Sequence, residues 1–356
     1  MSNRKEVRIY AMNRTLVLAL LLFAPHVRAQ NLEAPAPRPN PPLPYSAKVD
    51  PFVPTYTPVK GLSGSLKGVE SNTVTGIMDA WIRDFAKIYP NVTISVDVGG
   101  SGQGGPRLTA GTADFGFIAR EMMGREETPF IDKFGYKPLA IAVSGGSLAV
   151  KAFTDCVVFI VNKENPLDEI TFPQLDAIYS ATHNRGLKTP ITTWGQLGVT
   201  GEWADKPIHA WGVEIPNGYD TFVNMHVLAN GQWREGIQSQ HTVIPLSDKV
   251  GADKYAISYT GLAWDTNPNT KVLKLAVHPG DPFLEPTFAN VASQKYPLSR
   301  VIYIFINREP GKPIQPLLRE FIRYALSQQG QQAIVGDGIF TPLPAALNSR
   351  ETEKLK

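Results

Sequence analysis

The sequence predicts an α/β protein, and three observations carry that reading. Strand-like and helix-like patterns alternate along the chain, one strand runs directly into a glycine-rich turn, and the order of strand, glycine turn and helix recurs further on. The first instance is Val92 to Arg120, VTISVDVGGSGQGGPRLTAGTADFGFIAR. Val92, Ile94, Val96 and Val98 alternate with polar residues, the period of a half-buried strand, and Gly99 to Gly105 follow at once. Backbone N–H groups in such a turn, at the start of a short helix opened by Pro106, converge with the positive end of a helix dipole and favour an anion. Ser101 and Gln103 add side-chain donors. A structural turn with no ligand is the plainer alternative for the same residues.

Gly100, Gly102 and Gly105 also spell GxGxxG. A dinucleotide site needs a long crossover helix after the third glycine. Here Gly111 closes the helix after barely a turn, and the next strand, 114 to 119, follows immediately. That spacing argues against a Rossmann cofactor site, and no cofactor is expected.

At 356 residues, with 43% hydrophobic and 19% charged side chains, the chain is long enough for two domains with sizeable cores and has an ordinary soluble composition. Leu16 to Ala24 is the only long apolar run. Met12-Asn13-Arg14 before it and Val27-Arg28-Ala29 after it give the charged, apolar and small-residue order of a secretory signal peptide, so residues 1–29 are expected to be cleaved. A membrane helix is the alternative, but the run falls short of the roughly 20 residues that a span requires. Removing residues 1–29 leaves 30 basic against 31 acidic residues. A near-neutral chain without a basic cluster gives no reason to expect nucleic acid. The single cysteine, Cys156, lies in an apolar strand and reads as core, and no cysteine at the cleavage site offers a lipid anchor. The product is expected in the periplasm or outside the cell.

Residues 30–60 carry nine prolines up to Pro58 and read as an extended leader, with folded sequence from Gly61. Val74, Ile77, Met78, Trp81, Ile82, Phe85 and Ile88 recur at helical spacing until Pro90. Before this helix stand Ser71, Asn72 and Thr73, which serve either as a plain N-cap or as donors to a ligand at the helix start. Further strands are expected at 139–143, 156–161, 208–213, 256–259, 272–277 and 301–306, the last apolar enough for burial on both faces. Pro216-Asn217-Gly218 turns the strand 208–213 into a second helix, through Phe222, Val223 and His226. Residues 183–207 read as a long ordered loop. Ile314, Leu317, Leu318, Phe321, Ile322 and Ala325 mark the buried face of a last long helix.

With these pieces placed, the chain from Gly61 to Ala346 resembles the phosphate-type, PstS-like substrate-binding proteins of ABC transporters. The carrying segments are Ser71-Asn72-Thr73 before a helix with Trp81 and Phe85, GSGQGG to TAGTADFG, Val161-Asn162-Lys163 with Asn165-Pro166, Thr192-Thr193-Trp194-Gly195, Tyr296-Pro297-Leu298-Ser299-Arg300, and Leu326 to Gln331. The resemblance implies a two-lobed periplasmic-binding-protein fold of type II, each lobe a sheet flanked by helices, joined by two crossovers. It implies lobe 1 at 61–150 and 262–346, lobe 2 at 151–261, and a C-terminal tail at 347–356.

It also implies an oxyanion held by helix N-termini in the cleft. Carried over residue by residue, the turn before the first helix is intact as Ser71, Asn72, Thr73 and the Val74 amide, and the glycine turn as Ser101, Gly102 and Gln103. After the Asp114-Phe115-Gly116 strand the family places Ser-Asp or Ser-Arg; here Ala119-Arg120 keeps only the arginine. Where the family has Arg-x-x-x-Ser-Gly-Thr in lobe 2, this chain has Val213 with Asn217, Gly218 and Tyr219. One cation and two hydroxyls are gone. Each unmatched group on a buried anion costs about 1 to 3 kcal/mol, so altered or weaker oxyanion binding is expected. Arg120 is the clearest candidate cation, or else a member of an ordinary surface ion pair, with Glu121 next to it in sequence as the candidate partner. Tyr219 either meets a larger organic ligand or packs as wall, and Glu214 and Asp220 stand near the altered turn.

The functional expectation is an exported, monomeric solute-binding protein that captures phosphate or a related small anion for the membrane subunits of an ABC transporter. The alternative is a diverged binding fold with another ligand, or a sensory or interaction role without transport. No GxSxG, no HExxH and no metal-ligand spacing among the histidines suggests an enzyme.

Overall fold

The computed structural model describes residues 45–356, so the expected signal peptide and the first part of the proline-rich leader lie outside the described residues. In chain order the first elements are β1 (Gly64–Glu70), α1 (Thr75–Ile88), β2 (Val92–Val98), α2 (Gly104–Ala110), β3 (Phe115–Ile118), α3 (Gly124–Phe134) and β4 (Leu139–Gly145). Then come β5 (Val157–Asn162), β6 (Glu169–Thr171), α4 (Phe172–Tyr179), β7 (His209–Val213), α5 (Gly218–His226), β8 (Gln238–Gln240), α6 (Leu246–Ala252), β9 (Ala256–Gly261), β10 (Thr270–Val272), β11 (Lys274–Ala276) and α7 (Phe288–Ala292). The chain closes with β12 (Val301–Ile306), α8 (Pro316–Leu326), α9 (Gln328–Asp337) and α10 (Ala345–Glu353).

Two mixed five-stranded sheets organise these elements, in the orders β2-β1-β3-β12-β4 and β10-β5-β9-β7-β8. Each has its own core. Trp81, Phe85, Phe117 and Phe321 centre the first, and Phe159, Tyr179, Trp194 and Tyr259 the second. The architecture is therefore α/β and two-lobed.

Sequence pattern explains the elements that carry the site. The helical spacing in α1 buries Ile77, Met78, Trp81 and Phe85 against the first sheet, and the Trp81 indole N–H donates to the Gly330 carbonyl at 2.8 Å. In β12, Ile302, Ile304 and Ile306 face the main core while Phe305 joins a smaller cluster with Leu108, Met122 and Phe130, so both faces are covered. The lobes are joined by two strands of chain that lie side by side. The Gly146 N–H donates to the Arg300 carbonyl at 2.8 Å, and the Val157 N–H to the Leu298 carbonyl at 3.1 Å.

Three stretches differ from the sequence expectation. Residues 262–298, assigned by resemblance to lobe 1, lie largely with the second sheet: β10 pairs with β5, β11 with β6, and Leu273, Leu275, Val291, Tyr296 and Leu298 are buried in its core. The second crossing thus falls at 298–301. The leader is anchored before Gly61, because Val53 and Tyr56 are buried and the Tyr56 hydroxyl meets that of Tyr89 at 2.8 Å. The tail is the helix α10, whose Glu351 carboxylate accepts the Ala142 N–H of the edge strand β4 at 2.7 Å. Among the described residues no helix is long and apolar enough to cross a membrane.

Candidate functional site

β1 lies between β2 and β3 and runs parallel to both, so the turns that follow the three strands emerge together at one carboxyl edge. Such an edge is where open α/β sheets hold ligands. Ser71 to Thr73 leave β1, Gly99 to Gln103 leave β2, and Ala119-Arg120 leave β3. The Ser71 N–H donates to the Phe117 carbonyl at 2.9 Å, which ties the first turn to the third. The Ala119 N–H donates to Ser101 Oγ at 3.4 Å, and Thr154 Oγ1 donates to the Ala119 carbonyl at 2.9 Å. The backbone of one residue, Ala119, is thereby held by the glycine turn through its N–H and by the first crossing through its carbonyl.

The N-cap of α1 is Val74, and no side chain caps it. Ser71 and Thr73 instead share a hydroxyl–hydroxyl hydrogen bond of 3.2 Å beside the helix start. The plain N-cap reading of the three residues thus finds no side-chain bond at the N-cap itself, and the positive end of the 14-residue helix lies beside the Ser71 and Thr73 hydroxyls.

The glycine turn is less open than its sequence suggests. The N–H groups of Gly99 and Gly100 both donate to the Glu70 carbonyl, at 3.0 and 3.1 Å, and that of Gln103 donates to the Gly100 carbonyl at 3.1 Å. Packing explains the later glycines. A Cβ on Gly104 would fall 1.9 Å from Ile118 Cδ1, and one on Gly105 would fall 2.5 Å from the Glu126 carbonyl oxygen. They let α2 close onto β3 and α3. The helix begins at Gly104, ahead of Pro106, and ends at Gly111 in the left-handed conformation after seven residues.

Arg120 is engaged within lobe 1. Its guanidinium donates to both oxygens of Glu126, at 2.8 and 2.7 Å, and to the Glu121 carbonyl at 2.7 Å. Glu126 is buried and also accepts the Met123 N–H at 3.1 Å as part of the α3 capping box. This arginine sits in an ion pair, but a largely buried one with Glu126 rather than an ordinary surface one with Glu121. Its stem still reaches lobe 2, where a Cβ on Gly218 would sit 3.1 Å from Arg120 Cδ.

The lobe 2 turn is a self-capped helix start. Asn217 Oδ1 accepts the Tyr219 N–H at 3.0 Å, and Asp220 accepts the Asn217 N–H in return. The Tyr219 hydroxyl crosses the cleft floor and donates to Asp155 Oδ1 at 3.0 Å. Burial and the neighbouring Asp155 push the Tyr219 phenol above its ordinary range. Val213, at the expected arginine position, is a buried strand residue with its N–H on the Tyr259 hydroxyl at 3.2 Å. Glu214 is exposed and pairs with His241 at 3.2 Å.

The two crossings contribute residues that the sequence reading passed over. Asp155 is buried, holds the Tyr219 hydroxyl and accepts the Ala263 N–H at 3.0 Å; burial raises its pKa against those contacts. Arg300 is only 6% exposed and lies over the rings of Tyr219 and Phe222, at 5.5 and 5.2 Å from their centroids. Its Nη2 is 3.9 Å from Glu121 Oε2, and Nε has no hydrogen-bond partner among the described residues. Glu121 is buried, which pushes its carboxyl up, but His226 at 3.6 Å and Arg300 together outweigh this and hold it below the usual range. Behind Glu121, between the lobes, lies a cavity of about 570 Å³ walled by Met122, Tyr303, Ile215, Met225, Trp233 and Asp220, among others. Another buried carboxyl, Glu70, ends β1 directly before Ser71; burial, with Asp79 adding, pushes it up to about 8. Only Arg300 had a sequence signal, as the end of the Tyr296 to Arg300 segment.

The PBP superfamily domain matches residues 57–329. A protein named phosphate-binding protein PstS from Pseudomonas aeruginosa is 36% identical over 309 residues, covering 87% of this chain and 92% of the relative. One of the same name from Staphylococcus haemolyticus is 28% identical over 278 residues, covering 77% and 80%. Among solved structures, PstS from Borrelia burgdorferi superposes with a TM-score of 0.50 at 19% identity, over 79% of this chain and 99% of that one, a likeness of fold. Two sheets with separate cores, two adjacent crossings and these matches lead to one conclusion: the chain belongs to the PBP superfamily, among the PstS proteins.

Proposed function

We propose that this chain is an exported solute-binding protein that captures phosphate or a closely related oxyanion between its lobes and delivers it to the membrane subunits of an ABC transporter. It is a binding protein and not an enzyme. The observation that carries the reading is the gathering of three turns at the carboxyl edge of β1, β2 and β3, opposite the start of α5, in a chain 36% identical to a protein named for phosphate binding. Ser71, Asn72, Thr73, the Val74 amide, Ser101, Gly102 and Gln103 form the lobe 1 side. Asn217, Gly218 and Tyr219 form the lobe 2 side, and Arg120 is the wall between them. The lobes divide at 145–157 and 298–301, and contacts that span the cleft stabilise closure on ligand. The chain works as a monomer, cleaved after residue 29 and free in the periplasm or outside the cell.

A second reading, a diverged fold with another ligand or a sensory role, is favoured by one observation. The amide of Tyr219 and the carboxyl of Asp220 are already used in capping α5, so this turn has fewer groups to give an anion. Calorimetric titration of ligand-stripped protein with phosphate, sulfate and small organic anions separates the readings. Saturable one-to-one phosphate binding at micromolar concentration or tighter supports transport; a titration silent to phosphate, or one answered only by an organic anion, supports the second.

A further inference from the structure

We infer that Arg300, at the second crossing between the lobes, is the cation that contacts the captured anion, in place of the arginine that lobe 2 lacks. The inference rests on the oxyanion reading above. Three observations converge on it. First, the arginine that follows β3 is already matched: Arg120 makes two contacts with Glu126 and one with a carbonyl, whereas Arg300, with 6% exposure, has an Nε–H that no described residue accepts. A buried donor without a partner costs about 1 to 3 kcal/mol, more when charged, so an acceptor is required there.

Second, the surroundings position the guanidinium but leave its edge unmatched. Tyr219 and Phe222 of α5 lie against it as aromatic faces, and Glu121 balances charge from 3.9 Å, beyond hydrogen-bonding distance. Asp155, the other nearby carboxylate, is held by the Tyr219 hydroxyl and the Ala263 N–H. A planar fork fixed in this way suits the paired oxygens of a tetrahedral or carboxylate anion. Third, Arg300 sits where an anion would sense both lobes. Its carbonyl accepts the Gly146 N–H of the first crossing, its side chain touches α5, and Gly146 in turn abuts Thr154, whose hydroxyl fixes the Ala119 peptide behind Ser101.

The test uses inorganic phosphate and the mature chain. In the wild type, the Arg300 Nε–H resonance in ¹H–¹⁵N spectra, assigned by its loss in Arg300→Lys, is expected to shift and to be protected from exchange as phosphate is added. By calorimetry, Arg300→Gln is expected to bind phosphate at least tenfold more weakly while keeping its ligand-free melting temperature within a few degrees, and Arg300→Lys to recover part of the loss. An unmoved resonance at saturating phosphate, or an Arg300→Gln affinity within twofold of wild type, overturns the inference and leaves the oxyanion reading standing. If the wild type itself binds neither phosphate nor sulfate, the oxyanion reading fails, and the inference with it. Should Arg300→Gln not fold, the wild-type spectra decide alone.

Discussion

The guanidinium of Arg120 and the carboxylate of Glu126 face each other through two contacts of 2.8 and 2.7 Å, with side chains 14% and 4% exposed. This pair joins the end of β3 to the first turn of α3 and sets the wall of the cleft. Removing one member leaves a buried charge uncompensated, which costs about 3 to 5 kcal/mol. Arg120→Gln is therefore expected to lower the urea midpoint strongly but to change phosphate affinity by less than about fivefold. A loss of binding far beyond that in a folded variant would return Arg120 to the ligand.

Gly105 tests whether the glycine-rich turn is built for packing. A Cβ there meets the Glu126 carbonyl at 2.5 Å, and backbone cannot move aside as a side-chain tip can. Gly105→Ala should destabilise by at least about 1 to 3 kcal/mol in chemical denaturation. An unchanged midpoint would contradict the close approach of α2 and α3.

Glu70 makes stability depend on pH. Its carboxyl, pushed up to about 8 by burial and by Asp79 on α1, is raised above its unfolded value, so the folded state favours the protonated form. The stabilisation is complete below the unfolded pKa near 4.5 and is lost as pH rises through about 8. Wild-type protein should lose up to about 4 kcal/mol across that window on this account. Glu70→Gln should remove most of that slope, as read from denaturant midpoints at pH 5 and 8.5; parallel curves for the two proteins would refute the assignment.

Asn217 caps α5 through the Tyr219 N–H. Asn217→Ala should cost about 1 kcal/mol and leave the amide free toward the cleft. If Asn217 instead serves only the ligand, stability will be unchanged and phosphate affinity alone will fall.

Much of this was legible in the sequence. The period of 3.6 in α1 gave its buried face, and the alternation in β2 followed by glycines placed the turn at a strand's carboxyl end. The partner of Arg120 was not legible, because the chain that follows it offers Glu121, Glu126 and Glu127, and only the path of α3 chooses. Asn217 carries a readable signal, since Asn217 and Asp220 stand at capping-box spacing. Arg300 and Asp155 owe their roles to the two crossings lying side by side, through the Gly146–Arg300 and Val157–Leu298 hydrogen bonds between distant parts of the chain, which no local pattern encodes.

The most direct test of the central claim is a crystal structure of the stripped protein grown with saturating phosphate. The account predicts one tetrahedral anion between the lobes, within about 2.7 to 3.2 Å of Thr73 Oγ1, Ser101 Oγ and the Arg300 guanidinium. An anion bound elsewhere, or a cleft without one at that concentration, would contradict it.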